Sequence, residues 1–374
     1  MTGSTVPGVV PASRLRLRLE AREQPGLPTH LAVSLLLLLA ALLLAGTVMT
    51  VAGGNPLDVY RSMFGAAFGS RWGLNDTLIK MVPLALASLG VALAFRMKMW
   101  NIGAEGQLLM GALAASGIAL FAVPPDMPRL PALALMAAAG AAGGAAWAVV
   151  PGWLRAQFGV NEIISTLMLN YVALSIVQFF VYGPWGERGF GLTPMFERHT
   201  WLPRLTDFAD QWSALRGLTL HLGILAVPVA IACLAILLER TKFGFEIAMV
   251  GDNPDAARYA GVRLRRTMII VMALSGALAG LAGMSEVSGV VHRLLEHISP
   301  GYGYTAIIVA WLGRFNPLAV AVVAFLFGGL IVGADEIQSA GISSLLQGVI
   351  LFVMVSGNLL IRYRIRLRPP EAMR

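Results

Sequence analysis

Apolar residues in this chain are gathered into long blocks separated by short polar stretches, and the blocks predict the elements. Leu31 to Val51 is about twenty residues long and almost wholly apolar, enough to cross a hydrocarbon core of roughly 30 Å as a helix. That is longer than the apolar core of a cleavable signal peptide, so it reads as a retained span. Further spans are expected at 77–95, 104–123, 131–150, 163–182, 219–238, 267–287, 303–313, 316–335 and 341–361. The block from Gly303 to Gly313 would make only about 16 Å of helix, half a membrane. It is a half-helix or one piece of a broken one. The expected fold is therefore all-α: a polytopic integral membrane protein of about ten transmembrane helices, one of them short or broken. Eight spans with re-entrant pieces is the alternative.

Composition agrees. Of 374 residues, 57% are hydrophobic and 13% charged, against about 25% charged in soluble domains, and the mean hydropathy is +0.73. The net charge of +8 would suggest nucleic acid in a soluble chain. Here the basic residues cluster in segments that alternate spans would place inside, so no nucleic-acid partner is expected. These segments are the tail with Arg14, Arg16, Arg18 and Arg22, then Arg96 and Lys98, Arg155, the 239–266 loop, Arg314, and the tail with Arg362, Arg364, Arg366, Arg368 and Arg374. The division is a cytoplasmic basic tail at 1–29, disordered or lying on the surface, a transmembrane domain at 30–361 in contact with lipid, and a second cytoplasmic tail at 362–374. Both termini fall inside. A long outer loop at 183–218 carries Trp185, Trp201 and Trp212 as interfacial anchors. Cys233 stands alone, and the five histidines lack ligand spacing, so no metal site is expected.

Four stretches carry more than lipid-facing helix. Asn101-Ile-Gly-Ala-Glu-Gly-Gln107 and Asn161-Glu-Ile-Ile-Ser-Thr-Leu-Met-Leu-Asn170 each open on an asparagine that could cap a helix, with a carboxylate near its positive end. Glu162, Thr166 and Asn170, spaced i, i+4 and i+8, make one polar stripe. Such a stripe should face a partner helix or an aqueous path, as should Glu286 near the end of the 267–287 span with Ser275 and Ser285. Asn101, Glu105, Gln107, Glu162, Thr166, Asn170 and Glu286 are thus the substrate-path candidates. In the 239–266 loop, Asn253-Pro254 starts a short helix whose Ala256, Ala257 and Ala260 offer a small-residue docking face before Gly261. Gly301-Tyr-Gly-Tyr and Leu312-Gly-Arg-Phe-Asn-Pro317 bracket the half-length span. Gly140-Ala-Ala-Gly-Gly144 and Gly276-Ala-Leu-Ala-Gly280 echo each other on helices expected to run in opposite directions, as in an inverted repeat or simply as two small-residue membrane helices.

These four motifs, in order over 77–361, resemble the permease subunits of bacterial ABC importers of the ribose and branched-chain amino acid superfamily. Within it the simple-sugar and nucleoside permeases served by basic-membrane-protein-type lipoprotein receptors are most similar. The resemblance implies import of nucleosides or simple sugars by alternating access, in a bacterial inner membrane. It implies a cytoplasmic ABC ATPase, a second permease subunit, often a distinct related chain, and an extracytoplasmic substrate-binding lipoprotein. It assigns ATPase coupling to Gly244, Gly251, Asn253, Pro254, Ala256, Ala257, Arg258 and Gly261. Asp252 and the Ile-Ala-Met lead-in depart from relatives that often carry Arg-Ala there. No G-x-x-x-x-G-K-[ST] phosphate loop occurs, so no cofactor is expected on this chain, and ATP with Mg belongs to the partner ATPase. The competing classes are an ion-gradient-driven transporter of a small polar solute, which wants a titrating acid near the midplane, and a membrane enzyme, for which no nucleophile–base set stands out.

Overall fold

A computed structural model describes residues 16–21, 27–51, 53–187, 190–336 and 363–368, with short stretches between 341 and 356. Two compact units divide it: Met1–Leu57 with Ser344–Arg374, and Asp58–Ser343. In the first, the tails are not simply irregular. Strand β1 (Arg16–Ala21) pairs antiparallel with β2 (Tyr363–Arg368), setting Leu17 opposite Leu367 and Glu20 opposite Arg364. Arg14, Arg22, Arg362 and Arg374 lie outside the described residues. Helix α1 (Leu27–Val51) contains the first expected span and starts four residues earlier than its apolar block. The expected span at 341–361 is described in part, and its described residues, 341–342, 345–350, 352–353 and 356, are helical.

Helix α2 (Pro56–Phe68), outside the expected spans, starts on a proline at its first position, where the missing N–H costs nothing. Seven helices are long and apolar enough to cross a membrane among the described residues. They are α3 (Arg71–Arg96), α4 (Ala104–Phe121), α5 (Arg129–Phe158), α6 (Glu162–Tyr182), α7 (Ala226–Arg240, with a 3-10 turn from Leu222), α10 (Leu264–Glu286, continued by a π-helical turn to Val291) and α12 (Pro317–Glu336). Helix α11 (Tyr302–Leu312) is the expected half-length piece. Helix α5 runs past Pro151, where the sequence pattern had ended it, and stops at Gly159, whose φ of +69° is a left-handed cap. The 239–266 loop folds as α8 (Lys242–Asp252) and α9 (Pro254–Tyr259).

Helices α3 and α4, followed by α10 and α12, are the most buried, while α6 and α7 leave much of their surface uncovered. The two glycine stretches are one interface: α5 and α10 cross antiparallel, Gly140 on Gly280 and Gly144 on Gly276. A Cβ on Gly144 would stand 2.2 Å from the Gly276 carbonyl oxygen, so only glycine allows this approach. The close crossing fixes α10 against α4, which carries the first polar motif, and Gly111 of α4 meets Gly280 in turn.

Candidate functional site

Between α3 and α4 the chain leaves helical geometry at Met97 and regains it at Ala104. This break is buried well inside the membrane region, because Asn101 bonds Ser275, three turns into α10. Backbone groups freed by a break in that environment must be satisfied by protein, and the polar residues do this. Asn101 Nδ2 donates to Gln107 Oε1 (2.9 Å) and Ser275 Oγ (2.9 Å), while its Oδ1 accepts from Gln107 Nε2 (2.8 Å) and the Gly103 amide (3.0 Å). Asn170 Oδ1 accepts from the Gly106 amide at 2.9 Å, and its Nδ2 donates to the Ile102 carbonyl at 2.9 Å. Thr166 Oγ1 accepts the Ile102 amide at 3.3 Å. The α6 stripe therefore faces a partner segment. Asn101 acts inside the break, and Asn161 is the capping residue, its Oδ1 accepting from the Ile163 and Ile164 amides.

Glu105, in the first turn of α4, joins the break to α11. Its Oε2 accepts the Gly303 amide at 2.7 Å, and Ser299 hydrogen-bonds the same carboxyl. The N-termini of α4 and α11 thus meet at one carboxylate, the charge their dipoles favour. Gly303 is required there: a Cβ would lie 2.1 Å from the Glu105 amide nitrogen. Five of the seven path candidates are accounted for: Asn101, Glu105, Gln107, Thr166 and Asn170 come together. Glu162 does not; it pairs with Arg155 at 3.3 Å in the first turn of α6. Glu286 is not bonded into the knot; it ends α10, about three turns beyond Ser275.

At that end the polar groups are left open. Glu286 is buried, and the Tyr302 hydroxyl faces its carboxyl, yet neither Glu286 Oε1 nor Tyr302 Oη has a partner at hydrogen-bonding geometry. Lys80 of α3, half-buried, is near enough for its charge to act on Glu286. Sequence reasoning passed over Lys80 although it lies in the 77–95 block; one cation inside an apolar block was the signal. The tyrosines of Gly301-Tyr-Gly-Tyr were quoted without roles, and Tyr304 also bonds Asn170 at 3.4 Å.

The π-helical turn after Glu286 is gripped by the 183–218 loop. Ser288 donates to the Thr200 carbonyl (2.6 Å) and its own carbonyl accepts the Leu202 amide (3.0 Å). The Arg204 guanidinium covers the Gly289 and Val290 carbonyls, and the His292 ring stacks on Trp201 at 3.7 Å. His292 also touches the Ser288 carbonyl through Nδ1. His221 is fully buried against Gly223 and Gly289. Burial first, then the nearby Arg204 charge, pushes both imidazoles down to about 4, so they are neutral at pH 7. Trp201 is thus a packing partner of this loop, while Trp212 is largely exposed. Among the described residues no group of three or more potential ligands could hold a metal ion.

In the 239–266 segment, Asn253 caps α9, its Oδ1 accepting from the Asp255 and Ala256 amides. The docking face differs from the alanine face expected. Ala257 is fully buried, and Gly244 and Gly251 are packing positions; a Cβ on Gly251 would stand 2.2 Å from the Arg96 carbonyl oxygen. Pro254, Ala256, Arg258, Ala260 and Gly261 are exposed, with Arg258 paired to Asp255. Two large residues missed from sequence stand out beside them, Tyr259 at 96% exposure and Phe245 at 63%. Gly251 links this face to the membrane interior, because Arg96 ends α3 and opens the segment that carries Asn101.

The family model described as "Branched-chain amino acid transport system / permease component" matches residues 73–355. The chain is 34% identical over 338 residues to the glucose ABC transporter permease protein TsgB13 of Haloferax volcanii, covering 88% of each. It is 33% identical to the nucleoside ABC transporter permease protein NupB of Lactococcus lactis, over 83% of this chain and 85% of that one. The guanosine ABC transporter permease protein NupP of Bacillus subtilis is 32% identical, over 87% of this chain and 92% of its own.

Proposed function

This chain belongs to the branched-chain amino acid transport system permease-component family, and from that premise we propose that its cargo is a nucleoside or a simple sugar. It is a permease subunit of an ABC importer, working with an ATPase and a substrate-binding protein. The relatives named for glucose, nucleosides and guanosine support this cargo. The ATPase binds ATP and Mg at the cytoplasmic face of a bacterial inner membrane. A second permease chain completes the pore, and a lipoprotein receptor delivers solute to the outer face.

One observation carries the mechanism: the buried break at 97–103 is continuous with the coupling helices through the contact of Gly251 with the Arg96 carbonyl. Small, tightly packed contacts transmit displacement because neither side can yield. The ATPase engages Tyr259, Phe245, Ala256 and Pro254, moves α8 and α9, and so shifts the end of α3. The Asn101–Gln107–Asn170 knot then carries the motion to α4, α6 and α11, whose mutual approach opens and closes the path.

The test is uptake of labelled guanosine and glucose by cells expressing the complete transporter, with and without its ATPase. Uptake of one of them should vanish with the ATPase, and Tyr259→Ala should lower it about tenfold while the permease still reaches the membrane, as loss of an exposed aromatic anchor does. Uptake that survives ATPase removal and collapses with an uncoupler would move the chain to the ion-driven class.

A further inference from the structure

Every buried polar group of the break is closed by a partner, whereas Glu286 and Tyr302 face each other, and Glu286 Oε1 and Tyr302 Oη make no hydrogen bond of good geometry. Buried polar groups are normally satisfied, and the exceptions call for a partner that comes and goes. We propose that Glu286 and Tyr302 form a transient binding pair for adjacent ring hydroxyls of the transported solute. The proposal rests on the nucleoside or sugar cargo inferred above and adds which solute groups are read, and where.

The chemistry of the pair selects hydroxyls. A carboxylate only accepts, while a phenol both donates and accepts, so together they complement two neighbouring hydroxyls, each of which can do both. Lys80 on α3 is near enough for its charge to act on Glu286, as Glu105 on α4 and Asp335 on α12 are to act on Tyr302. Glu105 itself is occupied by the Gly303 amide and Ser299, so the open acceptor is Glu286. Its position fits transient contact: it is the last residue of α10, followed directly by the π-helical turn that the 183–218 loop grips, and π turns interrupt helices at sites of function. The shared chemistry, vicinal ring hydroxyls, could come from the pentose of a nucleoside or from a free hexose.

The experiment compares solutes with and without those hydroxyls in the complete transporter, at concentrations that saturate the receptor. The nucleoside arm uses adenosine against 2′,3′-dideoxyadenosine; the hexose arm uses glucose against 2-deoxyglucose. For the arm that wild type imports, Glu286→Gln should cut the maximal uptake rate of the hydroxylated solute about tenfold or more, the loss expected on removing a charged hydrogen-bond partner. It should leave the deoxy analogue, already slow in wild type, unchanged. Tyr302→Phe should show the same selective pattern at smaller amplitude, and co-purification of the ATPase reports assembly. Equal losses on both solutes, or no loss, would overturn the proposal. Failure of both variants to assemble would give the pair a packing role and overturn it too. Wild type importing neither solute would instead overturn the cargo reading beneath it.

Discussion

Two regions of the helix core use polar residues in opposite ways, an inner knot at the break and an outer shell around the end of α10, inner and outer meaning nearer to and farther from the break. In the inner region, Asn101, Gln107, Thr166, Asn170 and Ser275 close on each other and on the backbone of the break. In the outer region the unpartnered buried atoms of the described residues collect: Glu286 Oε1, Tyr302 Oη, both ring nitrogens of His221, and Nε2 of His199 and His292. A closed network is stiff, because moving one member strands the others. An open set costs stability at rest and can accept a visitor or a proton. The difference suggests a division of labour in which the inner knot moves as one body and the outer shell changes its contacts.

Acid should break the comparison most strongly, at the outer end. His221 and His292 are held neutral with values near 4, against about 6.5 in an unfolded chain. A depressed histidine value means that between pH 6.5 and 4 the unfolded state takes up protons that the folded state refuses. Stability should therefore fall as pH drops through that window and level off below 4, by about 3 kcal/mol for the fully buried His221 and by less for His292. Melting of the purified transporter against pH checks it. His221→Phe should flatten the slope, and an unchanged slope in that variant would detach the buried ring from the effect.

The next largest effect belongs to the inner knot. Asn170→Leu strands the Gly106 amide and the Ile102 carbonyl in a buried site, costing about 2–4 kcal/mol. Thr166→Val keeps the shape and removes a long acceptor bond to Ile102 and the hydroxyl's bond to the Glu162 carbonyl within its own helix, costing about 1 kcal/mol. Both should lower uptake in the same order as they lower melting temperature. Normal uptake in a destabilised Asn170→Leu would mean that the knot holds the fold without carrying the motion.

The two regions were unequally legible in the sequence. The α6 stripe showed itself because polar residues at i, i+4 and i+8 on an apolar helix leave one face, and the Asn253-Pro254 start survived intact as a capped helix. What faces the stripe was hidden, since the partner is the non-helical break and the first turn of α4, 64 residues away along the chain, with Ile102 and Gly106 offering backbone atoms of no particular residue type. Ala257 could not be told from Ala256, because a six-residue helix has too little period to declare a buried face. The pairing of β1 with β2 joins opposite ends of the chain, beyond any local pattern. Lys80 was legible and overlooked, whereas the open state of Tyr302 depends on packing that no motif encodes.

The smallest expected change in stability is the sharpest test of the contrast. Glu286→Gln replaces an open carboxylate oxygen with an amide of the same shape in the same burial. It breaks no closed hydrogen bond at Oε1, and it removes a charge that burial penalises. The nearby Lys80 returns part of that penalty through attraction, so the two contributions oppose each other and the melting temperature should move little, by the equivalent of about 1 kcal/mol or less in either direction. A group that costs nothing to remove at rest, and whose loss nonetheless slows import of a hydroxylated solute, is spending its interaction on the solute. If Glu286→Gln instead melts as early as Asn170→Leu, the outer carboxylate belongs to the same closed architecture as the knot, and the two regions of the core are not different in kind.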